Sequence, residues 1–154
     1  MSPRIAQGFW FKSSIFEAEP NEDEETNPRM YGRQVATWLR PKLIELGYEV
    51  EEPFGEDWGW CVMCQREPYR MWIGCVNLRD YEYAQPGDPP PPRERLLWNV
   101  VPMAEIPFFR YLFRKKPDIN PGLDKLSNEL KEILASEPAI TVVDDEVSNS
   151  WFDA

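Results

Sequence analysis

Residues 53–64, "PFGEDWGWCVMC", gather the side chains of this chain best suited to chemistry: the carboxylates Glu56 and Asp57, the indoles of Trp58 and Trp60, and the thiols Cys61 and Cys64. Two cysteines in a CxxC spacing suit a metal or a redox pair, and Cys75 offers a third thiolate. Zinc sites take four donors, and the chain has no histidine, so the fourth would have to be a carboxylate. The same absence rules out Ser-His-Asp and Cys-His nucleophiles and the HExxH zinc site. Acid–base work would fall to carboxylates, Lys, Tyr or Cys. No spacing joins Glu56 or Asp57 to Cys61 or to a tyrosine as a catalytic set, so the sequence assigns no catalytic residue, no enzymatic activity and no cofactor.

The element that carries the CxxC also argues against a metal. Residues 58–65, "WGWCVMCQ", and 70–78, "RMWIGCVNL", are apolar runs separated by four residues, which predicts a β-hairpin. Alternation along a strand sends positions 61 and 64 to opposite faces. Cys61, Cys64 and Cys75 therefore read as buried free thiols, and redox chemistry is disfavoured because no helix start follows the pair. The same alternation predicts Trp58, Trp60, Val62 and Cys64 on one face and Gly59, Cys61, Met63 and Gln65 on the other, both covered. Gly59 would admit a close neighbour between the tryptophans. Trp72, on the second strand, completes a set that either builds core or, as an alternative, lines a small-ligand pocket with Trp58 and Trp60. Asp57 is expected to accept hydrogen bonds from the turn at Phe54-Gly55.

Around this hairpin the pattern predicts a first strand near Phe9–Lys12, and then a helix from Asn27-Pro28 to Gly47 with cap, N1 proline and C-terminal glycine in order. Its apolar stripe is Tyr31, Val35, Trp38, Leu39, Leu43 and Leu46, and Pro41 should kink or break it. "YEVEEP" (48–53) alternates as a short strand, and "LLWNVVPM" reads as another. Residues 105–116 predict a short basic, aromatic helix, with its phenylalanines packed and its cations in water. Asn120-Pro121 opens a second long helix with Leu123, Leu126, Leu130, Ile133 and Leu134 on one side, and "AITVVDD" makes a last strand. The expectation is one α+β domain over residues 1–154, an antiparallel sheet with two main amphipathic helices packed on one face. An acidic loop at 17–27 and a proline-rich surface loop at 84–95 interrupt it.

Charge bears on partners. With 27 acidic and 17 basic residues the net charge is −10, which disfavours direct nucleic-acid binding by phosphate neutralisation. The excess is local, at Glu17 to Glu25, at Glu49 to Asp57 and at Asp144-Asp145-Glu146. No run of about 18 apolar residues suggests a membrane span, and Met1-Ser2-Pro3-Arg4 begins no hydrophobic signal core. Three cysteines, an odd count, suit a reducing compartment, so the expectation is a cytoplasmic protein with no membrane contact.

"IELGYEV", "EDWGW" opening a hairpin, "MWIGC", "LFRKK" and "LASEPAITVV" together resemble a group of small uncharacterised bacterial proteins with a DWGW-type signature. The resemblance covers roughly residues 30 to 145, and "EDWGW" is its one specific part. It implies a bacterial or phage source and a shared α+β fold, and it brings no activity or site residue with it. The acidic loop and the proline run depart from the shorter pattern. The expected function is a small acidic interaction module, an immunity-type or anti-defence inhibitor that blocks a protein with a basic surface, such as one that binds nucleic acid. Its candidate contact residues are Glu22, Asp23, Glu24, Glu25, Glu51, Glu52, Glu56, Asp57 and Trp58.

Overall fold

The computed structural model describes residues 3–83, 85, 87–109 and 116–143. Seven strands form one antiparallel sheet: β1 (Arg4–Ile5), β2 (Phe9–Ser13), β3 (Phe54–Glu56), β4 (Gly59–Gln65), β5 (Arg70–Asn77), β6 (Trp98–Glu105) and β7 (Ile140–Val143). Their order is β3-β4-β5-β6-β2-β7, and β1 pairs with β6 beyond the end of β2. The predicted hairpin is β4–β5, with Met63 opposite Trp72 and Trp60 opposite Cys75. Such neighbours can be joined by short turns, as antiparallel pairing allows.

Two helices, α1 (Arg33–Glu45) and α2 (Asn120–Ala135), pack on the same face of this sheet. Val35, Leu39 and Leu43 of α1, and Leu123, Leu126, Leu130 and Leu134 of α2, recur every three or four residues. They join Phe9, Phe11, Trp60, Val62, Ile73 and Trp98 in the main core. Each such side chain contributes about 1.5–3 kcal/mol on burial. This is the expected α+β class. The opposite face carries a second cluster, Cys61, Met63, Trp72, Val101 and Met103, edged by Ile5, Phe54 and Trp58.

Several expectations are corrected. Helix α1 starts at Arg33 rather than after Asn27-Pro28, because residues 27–31 turn back along the sheet: Asn77 N–H donates to the Tyr31 carbonyl, and Tyr31 N–H donates to Asn77 Oδ1. The helix continues through Pro41 to Glu45. Residues 48–53 form no strand despite their alternation. They contribute a single cross-link to β4, Glu51 N–H to the Met63 carbonyl, and the neighbouring strand is β3. Leu46, expected in the apolar stripe, is 45% exposed. Of the basic aromatic segment, Phe108 and Phe109 are helical and mostly exposed, and Arg110 and Arg114 lie outside the described residues, as does the Asp144-Asp145-Glu146 cluster. No helix among the described residues is long and apolar enough to cross a membrane.

Candidate functional site

The acidic loop is built around one residue. Glu22 belongs to a single 3-10 turn (Glu22–Glu24) and is 1% exposed. Its Oε1 accepts the backbone N–H groups of Gly32 (2.6 Å) and Arg33 (3.1 Å), and its Oε2 accepts that of Glu19 (3.0 Å). The first amides of a helix have no intrahelical partner, and no side chain at the cap position itself serves them in α1. Glu22 supplies that cap from ten residues upstream, with its charge at the positive end of the helix. Burial nevertheless raises its pKa above the ordinary carboxylate value, against the lowering effect of those same amides.

Glu22 is therefore a folding residue, which corrects its expected role as a contact residue. Asp23 is likewise turned inward: its Oδ2 accepts the N–H of Arg29 at 2.8 Å. The Arg29 guanidinium in turn donates to the carbonyls of Asp88 and Pro89, which ties the acidic loop to the proline-rich stretch.

The loop then crosses β3. At Gly55 a Cβ would stand 2.3 Å from the carbonyl oxygen of Glu25, so only glycine admits this approach. Asn27 N–H donates to the carbonyl of Asp57 at 3.1 Å. Two acidic clusters about thirty residues apart in sequence thus meet on one edge of the sheet. Asp57, expected to brace its own turn, instead gives its carbonyl to this junction.

Cations answer part of the charge. Arg33 pairs with Glu25 and, at 3.5 Å, with Glu19, while its guanidinium lies over the Trp60 ring at 4.6 Å. Glu52 pairs with Arg40 at 3.1 Å. Glu51 takes a two-pronged bond from Arg66 (2.5 and 2.9 Å), and that hydrogen bonding holds its carboxyl below the usual range. Glu24, Glu56 and Asp57 are exposed and join no ion pair among the described residues. Trp58 lies half-buried directly after Asp57.

The tryptophan pocket is not assembled. Gly59 has φ +144°, outside the usual range of a side-chain-bearing strand residue, and its missing Cβ would meet the Cys75 carbonyl oxygen at 2.7 Å. This breaks the alternation between the two neighbouring indoles. Trp60 faces the helices under Arg33, whereas Trp58 and Trp72 belong to the opposite face. The expectation that Trp58 and Trp60 share a face is therefore corrected.

Nor are the thiols brought together. Cys61 belongs to the second face, and Cys64 and Cys75 to the helix-side core. No group of three or more Cys, Asp or Glu among the described residues is placed to hold a metal ion. Burial pushes the Cys61 thiol up to about 12 and raises the Cys64 and Cys75 thiols well above the ordinary thiol value, so none is a thiolate near neutrality.

Comparison of the chain with protein-family models, with curated proteins and with solved structures finds no match.

Proposed function

We propose that this chain is a small acidic protein-interaction module of bacterial or phage origin. It works in the cytoplasm as an immunity-type or anti-defence inhibitor, covering the basic groove of another protein. The observation that supports this reading is the edge formed by Glu24, Glu56 and Asp57 beside Trp58. These are three exposed carboxylates that join no ion pair among the described residues, carried on the acidic loop and on the adjoining end of β3, which the Glu22 cap and the close contact at Gly55 hold in place. A preorganised patch of one charge speeds encounter with an oppositely charged partner and rejects like-charged ones, at little cost in ordering. The adjacent indole offers the kind of aromatic anchor that interface energetics favour.

The test is affinity capture from a bacterial lysate, at low and moderate salt, with the wild-type chain and with a Glu24→Lys/Glu56→Lys/Asp57→Lys variant. The substituted side chains are exposed, so the fold should persist. The reading requires a stoichiometric basic protein that the wild type retains at low salt and the variant does not. A partner bound equally by both chains excludes this edge as the contact.

A further inference from the structure

Residues 88–93, Asp-Pro-Pro-Pro-Pro-Arg, belong to the proline-rich loop and take no part in the acidic edge. Each proline fixes its own φ and pushes the residue before it out of the helical region, so residues 88–91 have only extended conformations open to them. Pro92 keeps the same form, with φ −64° and ψ 151°, and the run ends where the 3-10 turn Arg93–Arg95 begins. The stretch is therefore a short polyproline II helix of about three residues per turn.

Burial follows that period. Pro91 is buried and Asp88 half-buried on one ridge, Pro89 and Pro92 are exposed on the next, and Pro90 and Arg93 make the third. The helix is anchored at both ends. Arg29 Nη1 donates to the Asp88 carbonyl at 3.0 Å and Nη2 to the Pro89 carbonyl at 2.9 Å, and the Arg95 N–H donates to the Pro92 carbonyl at 2.9 Å. The Pro90 and Pro91 carbonyls accept no hydrogen bond among the described residues.

The chemistry of this ridge narrows what can read it. Four successive prolines offer no N–H, so no strand can add to them. The Pro89–Pro92 ridge carries no charge, so it is not complementary to a basic groove. It presents two pyrrolidine rings one turn, about 9 Å, apart in a PxxP spacing, with two carbonyls between them for a donor. Pockets walled by aromatic side chains take rings at that spacing, and a helix already formed costs little ordering on binding.

We propose that Pro89 and Pro92 dock into the aromatic-lined groove of a second protein, a domain of the SH3 type that reads polyproline II. This surface works separately from the Glu24, Glu56 and Asp57 edge.

The test titrates the full chain into a panel of purified, isotopically labelled SH3 domains and follows the groove resonances by NMR. The wild type shifts the groove aromatics of at least one domain, and Pro89→Ala/Pro92→Ala binds that domain at least about tenfold more weakly. The milder Pro92→Ala weakens it about threefold. Both ridge prolines are exposed, so the fold persists, which thermal melting checks. Pro121→Ala, at an exposed proline off the ridge, and the Glu24→Lys/Glu56→Lys/Asp57→Lys variant bind as the wild type does. The absence of a groove shift in every domain overturns the proposal. So does a domain that binds the ridge variants as tightly as the wild type. Binding that only the triple Lys variant loses overturns it as well, in favour of the acidic edge as the contact.

Discussion

Replacing Glu22 tests whether one buried carboxylate organises both α1 and the acidic loop. Glu22→Ala leaves the N–H groups of Gly32, Arg33 and Glu19 without their acceptor. Loss of a helix cap costs about 0.5–2 kcal/mol. A buried donor left unsatisfied costs about 1–3 kcal/mol, with water repairing part of the loss as the loop relaxes. The expected total is about 3 kcal/mol, which lowers Tm by about 6–12 °C in a chain of this size.

Glu22→Gln keeps one oxygen but presents an amide donor to a backbone donor, and should cost about 1–2 kcal/mol. Its pH dependence has a definite sign. Because the folded-state pKa of Glu22 is raised, the folded protein binds more protons than the unfolded chain above the reference value of 4.5. The stability contribution is fully present below that value and declines as pH rises through the folded pKa. The deficit of Glu22→Gln should therefore be larger at pH 4 than at pH 7. Urea unfolding of wild type, Glu22→Ala, Glu22→Gln and the exposed control Glu24→Ala measures all of this. If Glu22→Ala lies within about 0.5 kcal/mol of Glu24→Ala, the size expected of a plain surface change, the capping account is wrong.

Gly55→Ala should destabilise by about 1–3 kcal/mol, because its Cβ meets the Glu25 carbonyl, and thermal melting reads the loss. The native protein should expose no rapidly reacting thiol at pH 8 and three after denaturation; a fast native thiol would contradict the burial of Cys61, Cys64 and Cys75. Gentle purification should yield well under one zinc per chain, and a full equivalent would reinstate the CxxC as a ligand pair. Tyr48 donates to Glu129 at 2.5 Å, and burial with that bond raises its pKa. Its stability contribution is therefore present below the reference value of 10 and lost as pH rises through the higher folded value. Ultraviolet titration should find one tyrosine that ionises last, and Tyr48→Phe should remove it at a cost of about 1 kcal/mol.

The β4–β5 hairpin and α2 were legible because their information is local. Two apolar runs flank a four-residue turn, and five leucine or isoleucine positions share one helix face. The start of α1 was not, because its cap comes from the side chain of Glu22 and no neighbouring residue signals it. Asn27-Pro28 carries a helix-start pattern that tertiary hydrogen bonds to Asn77 override. Glu22 reads in sequence as one acid among several, so nothing there separates it from Glu24. The opposite facing of Trp58 and Trp60 was within reach: a glycine between two large residues is where strand alternation can reset, and the φ of +144° at Gly59 is that reset. The meeting of the two acidic clusters depends on Gly55 and Asn27, whose partners no sequence period connects to them.

The central claim, that the Glu24, Glu56 and Asp57 edge binds a basic protein, is tested most directly by the affinity of the captured partner for wild type and the triple Lys variant over a salt series. The account predicts at least about a tenfold loss in the variant at low salt, a wild-type affinity that falls as salt rises, and convergence of the two at high salt. Equal affinities with equal salt slopes would contradict it.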